Sequence, residues 1–117
     1  MDEQIKKYLY DIQEAISSIF SYLGEKRDFN LYLDNKMLRR AVEREFEIIG
    51  EAMNRINKKD PNIPVSYKMQ IISMRNRVIH GYDKIDDGIV WGVIVKYLPI
   101  LQQEIDTLLN QDKEQEE

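Results

Sequence analysis

Apolar residues recur along this chain in steps of three and four, the spacing that gathers them on one face of an α-helix. In the first stretch Ile5, Leu9, Ile12, Ile16, Ile19 and Leu23 follow that rule, and Tyr8, Ala15 and Tyr22 widen the stripe. Gly24 predicts its end, and Glu25 to Asp34 read as a polar connection anchored by Phe29 and Tyr32. A second stripe, Leu38, Val42, Phe46, Ile49, Met53 and Ile56, predicts a helix from about Asn35 to Ile56. Lys58 to Pro64 read as a loop, because Asp60-Pro61 and Pro64 disfavour helix on their N-terminal side. A short third helix, from about Ser66 to Ile79, carries Met69, Ile72 and Met74, and Gly81 suits a left-handed cap after it. The fourth helix is expected to begin at Asp86 or Asp87, where acids suit a helix N-terminus. It carries Ile89, Val93, Ile94, Tyr97, Leu101, Ile105 and Leu108, and Pro99 predicts a kink or local break inside it.

No alternation of period two is accompanied by turn signals, so strands are not expected. The pattern predicts an all-α, up-and-down bundle of four or five helices. A chain of 117 residues reads as one domain, residues 1–110, with a charged and frayed tail over 111–117.

Composition narrows the picture. Charged residues make up 32% and hydrophobic ones 43%, as in an ordinary soluble protein. No apolar run approaches the ~20 residues of a membrane span, and the acidic start Met1-Asp2-Glu3-Gln4 does not resemble a signal peptide. Cysteine is absent, which excludes disulfides and thiolate metal sites and points to a reducing cytoplasm. The net charge of -4 argues against a non-specific nucleic-acid coat. An RNA contact would need a local basic patch, such as one that two chains build together.

The candidate chemistry is concentrated in Arg75-Asn76-Arg77-Val78-Ile79-His80-Gly81-Tyr82, which holds the only histidine of the chain. On a helix Asn76 and Arg77 lie four and three residues before His80 and share its face. Arg75 lies five residues before it and reaches round with its long side chain. Cleavage of RNA by its own 2′-OH needs a base, an acid for the leaving 5′-oxygen, and positive charge on phosphorus. Histidine titrates in the right range, and arginine presents a fork to phosphate oxygens. Attack and departure lie on opposite sides of phosphorus, so one imidazole serves both poorly. A two-fold dimer with two His80 side chains across a cleft would supply both. The bland alternative keeps His80 as a C-terminal cap, with the arginines paired to acids of neighbouring helices. A metal site is disfavoured, since one histidine and no cysteine leave only carboxylates as ligands.

The run R-N-R-V-I-H-G-Y resembles the R-x4-H-x-Y signature of the HepT-like branch of the HEPN superfamily. Glu47-Ile48-Ile49-Gly50-Glu51-Ala52 resembles a segment of that family's second long helix. Ile85 to Pro99, with Ile89-Val90-Trp91 and Tyr97-Leu98-Pro99, resembles the segment after its motif, whereas Asn57 to Tyr67 match less well. The resemblance implies an all-helical homodimer that cleaves RNA without a metal or other cofactor. It further implies a toxin of a type VII toxin–antitoxin pair, whose partner is a minimal nucleotidyltransferase of MntA type. That partner would neutralise the toxin by adding AMP to the motif tyrosine. By position the catalytic pair is Arg75 and His80, Asn76 and Arg77 support it, and Tyr82 takes the AMP. No DNA or membrane partner is expected. The rival readings are a non-catalytic module that holds a nucleotide or docks a nucleotidyltransferase, and a purely structural adaptor.

Three further features are read from the residues. Lys36, Arg39, Arg40 and Arg44 make the start of the second long helix basic, and i,i+4 pairs with Glu43 and Glu47 are the favoured explanation. Trp91 reads as core or dimer interface. Glu47 and Glu51 are candidates for buried partners of Arg75 or Arg77.

Overall fold

A computed structural model describes residues 1–80 and 86–116, and the side chains of 1–76 and 86–115. Among the described residues the chain is all-α, with helices α1 (Glu3–Leu23), α2 (Phe29–Asp34), α3 (Lys36–Lys59), α4 (Lys68–His80), α5 (Asp87–Lys96) and α6 (Leu98–Glu116).

The two long stripes fold as their spacing dictates. The Asp2 carboxylate caps α1 by accepting from Gln4 N at 2.8 Å and Ile5 N at 3.0 Å. Ile5, Leu9, Ile12, Ile16 and Ile19 are buried along it, while Tyr22 is exposed and takes no part in the stripe. Gly24 ends the helix at φ +72°, a left-handed conformation open to glycine, and its N–H donates to Phe20 O. Asn35 caps α3 through Leu38 N, and Val42, Phe46, Ile49, Met53 and Ile56 are all fully buried. Helices α1 and α3 run antiparallel, since Tyr8 near the start of α1 meets Arg55 near the end of α3. On the other side α3 packs along α4.

Three elements differ from the sequence reading. The connection after Gly24 contains α2, capped by Asp28 and secured by Tyr32, which is fully buried and stacks 5.4 Å from Trp91. A helix this short has no apolar period to detect, and tertiary contacts hold it. In α4 the core residues among those described are Ile71, Ile72 and Met74, while Met69 is 58% exposed. In α5 Val90 is buried in place of Ile89.

The break anticipated at Pro99 separates α5 from α6. Tyr97 N still donates to Val93 O at 2.9 Å, but Pro99 has no N–H to offer and a new helix starts around it. Helix α6 then runs back along α1, joined by Gln13 to Asp106 at 2.8 Å and by Lys6 to Asp112 at 3.0 Å. Where the sequence suggested a frayed tail, the chain is helical through Glu116, and Asp112 within it is buried. Among the described residues no helix is long and apolar enough to cross a membrane.

Candidate active site

The closest approach between α3 and α4 lies at one contact. Gly50 of α3 faces Arg75 of α4, and a Cβ on Gly50 would stand 2.1 Å from the Arg75 Cβ and 3.2 Å from its Cα. Only glycine permits so close an approach. The next residue, Glu51, then reaches the Arg75 guanidinium, with Oε2 2.7 Å from Nη2. Arg75 Nη1 also lies 3.4 Å from Asn76 Oδ1, a long and weak contact. The Nε–H of Arg75 is buried with no partner among the described residues. The side chain as a whole keeps 27% of its surface exposed. The motif arginine is thus held by Glu51 and, more weakly, by Asn76, and remains partly exposed.

Glu51 is shared. Its other oxygen, Oε1, accepts from Arg55 Nε at 2.7 Å, and Arg55 Nη1 lies 3.5 Å from the Tyr8 hydroxyl of α1. The Arg55 hydrogen bond, with the charges of Arg75 and Arg55 added to it, holds the Glu51 carboxyl below the usual carboxylate range against the opposing desolvation. Beside this row an open groove of about 470 Å³ lies between α1 and α3, with Lys7, Tyr8, Asp11, Arg44, Glu47 and Arg55 in its walls.

The remaining candidates fall as follows. Asn76 is exposed on α4 next to Arg75. His80 is the last residue of α4. The side chains of Arg77 and His80, the expected cap Gly81, and Tyr82 all lie outside the described residues. Glu51, a candidate for a buried partner of Arg75, is its partner but is 38% exposed. Glu47 instead pairs with Arg44 at 3.0 Å. The arginines at the start of α3 are paired within the fold: Arg40 pairs with Glu43 at 2.9 Å, and Arg39 donates to Leu33 O beside Asp87. These α3 pairs are i,i+3 rather than the expected i,i+4. Burial raises the Glu43 carboxyl above its ordinary range despite Arg40. Trp91 packs against Phe29 and Tyr32 at the edge of the core.

Comparison with known proteins places this geometry. The family model described as Ribonuclease HepT-like matches residues 12–108, which span the α3–α4 seam and the motif. The chain belongs to the HepT-like ribonuclease family. Among its relatives in that family, "Putative RNase MJ1380" of Methanocaldococcus jannaschii is 35% identical over 106 residues, covering 87% of this chain and 94% of the relative. "Probable ribonuclease HepT" of Thermococcus cleftensis is 33% identical over 112 residues, covering 92% of this chain and 98% of the relative. No solved structure matches the chain.

Two residues that contact Arg75 or its partner Glu51 went unnoticed in the sequence. Gly50 lay inside a recognised segment, but nothing in the string of letters says what it faces. Arg55 stands four residues after Glu51, the favoured order for a helical ion pair, and that spacing was the available signal.

Proposed function

We propose that this chain is an endoribonuclease that uses Arg75 and His80. The carrying observation is the state of Arg75: a guanidinium paired with Glu51, on a side chain that keeps 27% of its surface exposed, on the helix that ends at His80. A partly exposed guanidinium suits two oxygens of a phosphodiester. In the proposed reaction the 2′-OH loses its proton to an imidazole and attacks phosphorus. The P–O5′ bond breaks, a second imidazole protonates the leaving oxygen, and a 2′,3′-cyclic phosphate remains. Arg75 neutralises the charge that grows on the phosphorane. Asn76 and Arg77 would help to orient the phosphate.

The second imidazole would come from a second copy of the chain. Supporting this, α4 and α5 carry an open groove of about 490 Å³ walled by Met69, Met74, Ile89, Val93 and Tyr97 with Gln70 and Ser73 among them, and Met69 and Ile89 are exposed. Such a mostly apolar surface on the motif-bearing helix suits a homodimer. The reading extends to a metal-independent toxin restrained by a minimal nucleotidyltransferase that adds AMP to Tyr82. An anionic group there would occupy the phosphate position and pair with Arg75.

The test is cleavage of single-stranded RNA by the purified chain with and without EDTA. Arg75→Ala and His80→Ala should each lower the rate at least about a hundredfold, with thermal unfolding nearly unchanged. Full activity in either variant would remove the assignment. Loss of wild-type activity in EDTA would place the chemistry on a metal. Nucleotide binding with no cleavage would favour a binding module. Tyr82→Phe should still cleave, and should gain no AMP mass when the nucleotidyltransferase is present.

A further inference from the structure

The α1–α3 groove holds three cations and three acids, and two of the pairs close on themselves. Lys7 meets Asp11 at 3.0 Å, and Arg44 meets Glu47 at 3.0 Å. The third acid, Glu51, is divided between Arg55 inside the groove and Arg75 on α4, both at 2.7 Å. Two guanidiniums around one carboxylate leave a surplus of one positive charge at the edge of the motif. At its far end Arg55 stands beside α1 in two loose contacts, with its guanidinium carbon 6.0 Å from the centre of the Tyr8 ring and Nη1 3.5 Å from the Tyr8 hydroxyl.

We propose that Arg55 is a positioning residue for Arg75, acting through Glu51 to keep the charge of the motif arginine available to RNA phosphate. The inference rests on the ribonuclease reading above. Its logic is a competition for one carboxylate. While Arg55 holds Oε1, Glu51 offers Arg75 only Oε2. Once Oε1 is released, it has a partner at hand, because the Arg75 Nε–H is buried and unpaired among the described residues. An unpaired buried donor is a costly state, and a carboxylate that accepts from both Nε and Nη2 forms the stronger, two-pronged pair. The cluster then becomes neutral, and a phosphate must compete with Glu51 for Arg75. Arg55 prevents this from a helix that carries no part of the motif.

Steady-state cleavage of a short single-stranded RNA by the full chain tests the relay. Arg55→Met should raise KM about fivefold and leave kcat close to wild type, because saturating RNA still displaces Glu51. The double variant Glu51→Gln/Arg55→Met should return KM toward wild type, since the competing charge is gone. Arg55→Lys, which keeps the charge with fewer donors, should fall between. Arg44→Met removes an equal charge from the same groove and should change nothing. A merely structural Arg55 would lower kcat and Tm together, and the second substitution would not rescue it. That result, or an Arg55→Met protein that behaves like Arg44→Met, overturns the relay while the ribonuclease reading stands. A wild-type protein that cleaves no faster than Arg75→Ala overturns the reading and the relay with it.

Discussion

Helix α3 serves two neighbours by different rules. Its apolar stripe, Val42, Phe46, Ile49, Met53 and Ile56, joins Leu9, Ile12, Ile16 and Ile19 of α1 in one continuous core. Large side chains fill that space, and none of these residues keeps measurable exposure. Toward α4 the same helix offers Gly50 and Glu51, and the partner is an arginine. The first seam excludes water from hydrocarbon and stabilises the fold. The second brings two backbones close so that a carboxylate can hold a half-buried cation. Where this seam must present a charge, it does so with the smallest residue and an ion pair, beside the buried Ile71, Ile72 and Met74 of α4.

The largest effect should come from the first seam. Phe46→Ala empties a fully buried site and should lower stability by about 3–5 kcal/mol, a large share of the ~5–15 kcal/mol typical of a domain. Urea unfolding measures it, and cleavage per folded molecule should be unchanged. A loss under ~1 kcal/mol would mean that the α1–α3 core is not the main source of stability.

Gly50→Ala probes the second seam. Alanine gains ~0.5–1 kcal/mol over glycine as a helix former. Against that, a Cβ 2.1 Å from the Arg75 Cβ forces α3 and α4 apart, an overpacking of about 1–3 kcal/mol. The overpacking wins, so stability should fall modestly while RNA cleavage falls far more, because Glu51 and Arg75 separate. Equal losses in both would show that the close approach serves packing alone. Gly92→Ala is the matched control: nothing lies within 4 Å of its Cβ position, so the helix-forming gain of ~0.5–1 kcal/mol should appear undiminished in Tm.

The smallest effect belongs to Glu43, a buried acid near the start of α3. Its raised pKa means that the fold favours the protonated form, so the ionised carboxylate works against stability at neutral pH. Glu43→Gln should therefore stabilise the protein at pH 7 by at most about 1 kcal/mol, since its partner Arg40 is largely exposed and loses little. The gain is fully present above the raised pKa and should shrink as the pH falls through it, where wild-type Glu43 takes up its proton. A gain that grows toward low pH would contradict this sign.

Helix content, the end of α1 at Gly24, the acidic start of α5 at Asp86, the break at Pro99 and most of the core were legible because they are local. A stripe of period 3.6, a capping acid and a proline carry their consequences within a turn or two. Helix α2 was not legible, since one buried tyrosine has no period. Its hold on Trp91 joins residues far apart in the chain. The side choices of Met69 over Ile71 and of Ile89 over Val90 also escaped. In short helices with apolar residues on several sides, the neighbours decide which side is covered.

The candidate site divides along the same line. The sequence by itself determined which residues are chemically suited to the work: one histidine, a nearby arginine and a tyrosine in a family-like order. It could not determine that Gly50 meets Arg75, that Glu51 is shared by two arginines, or that Arg55 stands beside Tyr8. Those contacts cross three helices, and their distances depend on how closely the backbones pack. Spacing along one helix sets which side chains share its face. Only the packing of helices sets which charge stands opposite them, and so how much of the Arg75 charge remains for a ligand.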